Sequence, residues 1–228
     1  MTPSLFVTGT DTEIGKTHVA AALIRALRAS GLRVAPFKPV SAGCERTPEG
    51  LRNEDALALI EAAGGGFHYD DVNPVALADP VAPHLAAADS GLVIDPAVLD
   101  AAHARLAASA DLVVVEGAGG WRVPLTPTLD TADWVAGHGW PVLLVVGMRL
   151  GCLNHALLSA EAIARRTWLA GWVANVLPPV QPRWRDNVAS LQARLPETAA
   201  RVVIEPGANP EAAVQPLVDI WRNSGTLS

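Results

Sequence analysis

Seventeen residues of this 228-residue chain are Lys or Arg, and its only lysines are Lys16 and Lys38. A compact, rotatable ammonium is not interchangeable with a planar guanidinium. Chance under an Arg-biased genome would scatter the lysines without regard to strand ends; a Lys set beyond each of the first two apolar runs favours a need for an ammonium in those two places. Lys16 lies in the run Gly9-Thr10-Asp11-Thr12-Glu13-Ile14-Gly15-Lys16-Thr17. A glycine turn closing in Gly-Lys-Thr is the pattern of a phosphate-binding loop. Backbone amides cradle the phosphates, the lysine reaches the outer ones, and the Thr17 hydroxyl is placed to hold Mg²⁺. The spacing departs from the usual pattern, because five residues separate Gly9 from Gly15 and Thr10 stands where a glycine is common. A plain glycine turn with an exposed lysine is the bland alternative. The strand before it and the helix after it favour a nucleoside triphosphate.

Other chemistry-bearing residues sit at the ends of further apolar runs. Leu5-Phe6-Val7 reads as a buried strand, and Val19 to Ile24 with Leu27 as the helix after the phosphate loop, fading at Ser30-Gly31. Arg33-Val34-Ala35-Pro36-Phe37 is a second strand and delivers Lys38. In an open parallel sheet the crevice lies beyond the carboxyl ends of the strands, so Lys38 is expected on the phosphate loop's side. A polar loop over residues 41–52 precedes a helix with Asn53 as N-cap, and Asp55 lies in its first turn. There a carboxylate either complements the helix dipole or serves as a metal ligand from a second element, and position alone leaves both open. Residues 64–94 carry three consecutive glycines and several X-Pro steps, and read as a functional loop or lid. Within it, His84 is either a substrate contact or a structural histidine. Asp95-Pro96 opens a helix to about residue 108.

Residues 111–116 form a core strand ending in Glu116, followed by Gly117-Ala118-Gly119-Gly120. An apolar run with a carboxylate at its tip, then glycines that permit close approach of a ligand, has the form of a Walker B strand. A short helix near residues 131–136 and a strand over 141–147 come next. Leu150-Gly151-Cys152-Leu153-Asn154-His155 then opens a helix whose N-terminal amides form a second candidate anion site. A strand ending at Asn175, a helix near 184–195, a short strand at 201–204 and a terminal helix from Pro210 complete the chain. Alternating strands and helices predict an α/β fold, a single doubly wound domain over residues 1–228 with a mostly parallel sheet, P-loop NTPase-like. Lys16, Thr17, Lys38, Asp55, Glu116 and Asn175 are expected around one crevice.

Composition narrows the partners. A net charge of −6 and the lack of a Lys/Arg cluster argue against a nucleic-acid surface. Cys44 and Cys152 suggest a reducing compartment rather than a disulfide framework. No basic-then-apolar leader precedes the first strand, and no apolar run reaches the ~20 residues of a membrane span. A soluble cytoplasmic protein is expected.

The motifs, taken in order, resemble those of the dethiobiotin synthetase family. The resemblance rests on the phosphate loop with its longer spacing, Lys38-Pro39-Val40, Thr47-Pro48-Glu49-Gly50-Leu51-Arg52-Asn53 with Asp55, and Val115-Glu116-Gly117-Ala118-Gly119-Gly120-Trp121. Ala132-Asp133-Trp134-Val135, Leu150 to His155 and Gly171-Trp172-Val173-Ala174-Asn175 continue it. It implies an ATP- and Mg²⁺-dependent ligase that closes a cyclic urea from 7,8-diaminononanoate and CO₂, working as a homodimer. Under the resemblance, Lys16 stabilises charge on the phosphates, and Thr17, Asp55 and Glu116 hold the metal. Lys38 positions the carbamate and neutralises the migrating phosphoryl group, while Thr12 and Glu13 line the junction of nucleotide and diamine. The ATP site would also take in Ile14, Gly15, His18, Gly117, Ala118 and Gly119, with Asn175 reading adenine and Pro206 and Gly207 beside it. Ser41, Gly151, Cys152 and Asn154 would contact the substrate. Ala42 stands where the family commonly has a hydroxyl residue, the hydroxyl being one residue earlier on Ser41, and the segment from Ile204 to Pro210 is short. The alternative from another class is a partition-type regulatory ATPase, which usually carries an extra lysine within the phosphate loop. This chain has none between Gly9 and Gly15.

Overall fold

A computed structural model describes residues 2–225. The chain opens with β1 (Ser4–Gly9), α1 (Lys16–Ala29) and β2 (Val34–Phe37). Short pieces follow: β3 (Val40–Ser41), β4 (Glu45–Thr47), β5 (Gly50–Arg52), α2 (Glu54–Ala62), α3 (Tyr69–Val72), β6 (Val75–Ala76) and α4 (Pro83–Asp89). Then come α5 (Pro96–Ala107), β7 (Leu112–Gly120), α6 (Thr131–His138), β8 (Val142–Gly147) and α7 (Cys152–Ala164). The chain ends with β9 (Leu169–Asn175), α8 (Trp184–Gln192), β10 (Ala200–Ile204) and α9 (Pro210–Ser224).

Among the described residues the main sheet has six strands in the order β10-β9-β8-β1-β7-β2, and every pairing in it is parallel. Strands buried on both faces need no polar alternation, which is why β1, β7 and β8 read as continuous apolar runs. Period 2 still divides them. Leu5, Val7, Val114, Val145 and Val173 pack on one face with α1 and α9, while Phe6, Val113, Val115 and Trp172 pack on the other with α5, α6, α7 and α8. The expected doubly wound, mostly parallel sheet is the one observed.

Three stretches differ from the sequence expectation. Residues 64–94 are not an unstructured lid, for they hold α3, β6 and α4. β6 pairs in parallel with β3 (Val40↔Val75, Ser41↔Ala76), and Cys44 N–H donates to Leu77 O at 2.9 Å. Backbone pairing to the segment after Lys38 satisfies the polar groups that a free loop would leave to water. The polar loop over residues 41–52 contains the antiparallel pair β4–β5. β7 also runs past Glu116 to Gly120, with Gly120 opposite Gly9, so its glycines are sheet backbone rather than a loop.

Candidate active site

The first turn of α1 has no side-chain cap. Gly15 occupies the N-cap position with φ 79° and ψ 32°, a left-handed conformation that suits glycine. A Cβ on Gly15 would also lie 2.3 Å from Asn175 Nδ2. The amides of that turn are therefore left for an anion, at the positive end of the helix dipole. Glu13 adopts φ 55°, a positive value uncommon for a residue with a side chain. Lys16 is buried and donates from Nζ to Asp11 O at 3.0 Å. Burial, followed by the neighbouring charge of Lys38, pushes the Lys16 ammonium down to about 8.

Sheet register explains the rest of the cluster. Phe37 of β2 pairs with Val115 of β7, and Val7 of β1 pairs with Glu116. Lys38 and Glu116 each follow a paired position on adjacent parallel strands, so they emerge together. Alternation turns both towards the face covered by α1 and α2, which bring Thr17 and Asp55. Lys38 Nζ donates to Glu116 Oε1 at 2.5 Å and to Asp55 Oδ2 at 3.0 Å. Thr17 Oγ1 lies 2.7 Å from Asp55 Oδ1 and 2.9 Å from Glu116 Oε1. Glu116 is 0% exposed and Lys38 3%. Burial alone disfavours the Lys38 ammonium, but Glu116 and Asp55 outweigh it and hold the group above the ordinary lysine range. Burial likewise disfavours the Asp55 carboxylate, and the Lys38 ammonium with the Thr17 hydroxyl reverses this, leaving Asp55 below the usual carboxylate range. Between the two readings of Asp55, geometry favours a site residue over a simple dipole partner, because its carboxylate faces Thr17 and Lys38.

This donor set fits Mg²⁺. Two carboxylates each lie within hydrogen-bond distance of one hydroxyl, that of Thr17, and Glu116 Oε2 is buried without a partner. Among the described residues no group of three or more His, Cys, Asp or Glu converges. Mg²⁺ does not need one, since it is commonly held by one or two carboxylates, substrate phosphates and its own waters.

The remaining expected residues fall into three groups. Asn175, on the same face of β9, donates from Nδ2 to Ile14 O at 2.9 Å, and so ties the end of that strand to the phosphate loop. Ile204 pairs with Asn175, which places the exposed Pro206 and Gly207 at the same end of the sheet. Thr12 and Glu13 are exposed, His18 is exposed in the first turn of α1, and a Cβ on Gly119 would lie 3.8 Å from Thr12 Oγ1. Gly117 is packed against Phe6, where a Cβ would come within 2.6 Å of Cζ, and the half-buried Ala118 stands between these glycines. Gly151 caps α7 with φ 93° and no side-chain cap, with Cys152 buried and Asn154 exposed in the first turn. Ser41 is different. It is 2% exposed, and its hydroxyl donates to Asn73 Oδ1 at 2.7 Å and lies 3.1 Å from Cys44 Sγ, so it is engaged within the protein. His84 Nδ1 is buried without a partner.

Two contributions were not read from the sequence. Arg149, just past β8, donates to Asp11 Oδ2 at 2.6 Å and to Thr12 O at 3.3 Å, latching the phosphate loop from the neighbouring strand end. Its place directly after an apolar strand, as with Lys38, was the available signal. Tyr69 and Asn73 lie behind Lys38, in a stretch whose Asn-Pro step signalled only a turn.

A sequence profile described as an AAA domain matches residues 3–207. ATP-dependent dethiobiotin synthetase BioD of Pseudomonas paraeruginosa is 54% identical over 196 residues, covering 85% of this chain and 86% of its own length. The chain belongs to the dethiobiotin synthetase family. Dethiobiotin synthetase BioD 1 of Escherichia coli O157:H7 is 47% identical over 197 residues, covering 86% of this chain and 88% of its own. Among solved structures, the septum site-determining protein MinD complexed with Mg-ADP from Pyrococcus horikoshii superposes with TM-score 0.61 at 15% identity, covering 100% and 99% of the two chains. Cobyrinic acid a,c-diamide synthase from Mycobacterium smegmatis gives 0.58 at 18%, covering 98% and 95%. At that identity the likeness is one of fold, that of the P-loop NTPases. The sequence relatives at about half identity are dethiobiotin synthetases, so the family expected from the motifs is the family found and the partition-type reading falls away.

Proposed function

We propose that this protein, acting as one ligase domain, makes dethiobiotin from 7,8-diaminononanoate and CO₂ with ATP and Mg²⁺, as a homodimer in the cytoplasm. One observation carries the reading within this family: two buried lysines, a hydroxyl and two carboxylates meet beside an uncapped helix N-terminus. One amine of the substrate adds to CO₂ and loses a proton, giving a carbamate. A carbamate oxygen attacks the γ-phosphorus, ADP leaves, and a carbamic–phosphoric anhydride forms. The second amine attacks the carbamoyl carbon, expelling phosphate and closing the cyclic urea.

The chain's own groups act on charge and position, which is what phosphoryl transfer requires. The amides of α1 hold the phosphates, and Lys16 faces the outer ones. Lys38, kept charged by its carboxylates, sits where the carbamate and the migrating phosphoryl group meet. Thr17, Asp55 and Glu116 would hold Mg²⁺, which neutralises the phosphate oxygens when bound. Thr12 and Glu13 line the junction of nucleotide and diamine, and the start of α7 at Gly151, Cys152 and Asn154 takes the substrate carboxylate. Asn175 with Pro206 and Gly207 borders the base.

No helix among the described residues is long and apolar enough to cross a membrane. The test is an assay of purified protein with 7,8-diaminononanoate, bicarbonate, Mg²⁺ and ATP, following ADP release and product mass. Dethiobiotin formed one for one with ADP supports the reading. Phosphate release that ignores the diamine sinks it.

A further inference from the structure

A chain of hydrogen bonds, half-buried at Tyr69 and buried at Asn73, lies behind the Lys38–Asp55 contact. Asn53 N–H, at the cap of the helix that carries Asp55, donates to Tyr69 Oη at 2.6 Å. Tyr69 Oη donates onward to Asn73 Oδ1 at 2.9 Å, and Asn73 Nδ2 donates to the Lys38 carbonyl at 2.6 Å. The Lys38 N–H is held from the same short helix, by Val72 O at 2.8 Å. Asn73 is 2% exposed. Its orientation is settled by its partners, since Oδ1 faces the hydroxyls of Tyr69 and Ser41 and Nδ2 faces a carbonyl. A reversed amide would set oxygen against oxygen at one end. Burial raises the Tyr69 phenol above its ordinary range, against the opposing pull of the Asn53 amide, so the phenol stays protonated and can donate.

We infer that Tyr69 and Asn73 are positioning residues that hold the Lys38 and Asp55 backbones at a fixed separation. Lys38 leaves β2 and Asp55 leaves the cap of α2, and their side chains meet at 3.0 Å. A tie between the backbones behind them limits how far two side chains on separate elements can drift apart. The chain from Asn53 through Tyr69 and Asn73 to Lys38 is that tie. It also gives the stretch between α2 and α4 a role that a loop over the site would not have. It braces the site from behind.

The inference rests on the proposed role of Lys38 in phosphoryl transfer, but its test has a readout that needs no substrate. Lys16 and Lys38 are the only lysines, so protein labelled with ¹³Cε-lysine gives one side-chain signal from each, and Lys16→Arg assigns them. In Tyr69→Phe, which keeps the ring and loses the hydroxyl, the Lys38 signal should move and the Lys16 signal stay in place. The kcat for ADP formation should fall about tenfold, with the KM for ATP within about twofold. Asn73→Ala should do the same, and the double variant should lose no more than the worse single, because both act through one tie. Asn73→Ala also serves alone if Tyr69→Phe fails to fold. An unmoved Lys38 signal, or losses that add in the double variant, overturns the inference. A wild-type protein that forms no dethiobiotin while the Lys38 signal still moves would refute the ligase reading and leave the tie standing.

Discussion

Lys38→Met removes the ammonium and keeps most of the side-chain volume. Lys38 is 3% exposed, and Glu116, 2.5 Å from its Nζ, is 0% exposed. Removing one partner of a buried ion pair leaves an uncompensated charge and costs about 3–5 kcal/mol. Asp55, whose side chain is 35% exposed, can turn to water, so its lost contact adds little. At roughly 2–4 °C per kcal/mol for a chain of this size, the nucleotide-free variant should melt about 6–20 °C below the parent. The second arm is Lys38→Met/Glu116→Gln, in which no charge is stranded and most of the loss should return. Mg²⁺ should restore part of the single variant's stability, since a divalent cation at Thr17, Asp55 and Glu116 replaces the missing positive charge. The measurement is calorimetry with urea titration, with and without Mg²⁺. A single variant destabilised by less than about 1 kcal/mol, or a double variant no better than the single, would refute the buried-pair argument.

Four further outcomes are expected. Lys16 is pushed down to about 8, so about nine-tenths of it is neutral at pH 9 in the free protein, and a bound triphosphate restores the proton. ATP binding should then take up close to one proton at pH 9 and about half at pH 8, read by calorimetry in buffers of different ionisation enthalpy; no uptake at pH 9 contradicts this. His103 is pushed down to about 4 by burial and by His138. Its folded value lies below the unfolded value of about 6.5, so its contribution is intact above pH 6.5 and lost as pH falls towards 4. That contribution is at most about 3 kcal/mol and about half that after solvent screening, and His103→Gln should flatten the acid limb of stability. In Gly15→Ala, the positive φ and the close approach of Asn175 Nδ2 should weaken nucleotide binding by more than about tenfold while circular dichroism stays near the parent's. Lys38→Arg keeps the charge but puts a wider group into a filled space, and turnover should fall about a hundredfold; activity near the parent's would remove the case for an ammonium.

Much of the crevice was legible because each residue closes an apolar run. Gly15-Lys16-Thr17 open a helix, Lys38 follows a strand, Asn175 ends one and Glu116 closes the apolar part of β7, and an open parallel sheet gathers such positions towards one edge. Asp55 was ambiguous, because a first-turn carboxylate reads the same whether it serves a helix or a site. Ser41 was expected at the substrate, and the sequence did not show that its hydroxyl also meets Asn73, a partner 32 residues away. The stretch after Gly64 read as a loop for a related reason. Its helices are short and its strand pairs with residues 40–41, so no periodicity long enough to recognise exists within it.

By itself the sequence determined which residues can do chemistry here and that an α/β sheet would present them on one edge, since residue type, strand ends and turn glycines are local properties. Only the tertiary structure decided that Lys38 meets Glu116 and Asp55, that Arg149 latches the phosphate loop, and that Tyr69 and Asn73 brace Lys38. Those contacts depend on strand register and on helices crossing between distant segments. Such distances are set by packing across the whole sheet, and no window of neighbouring residues contains them.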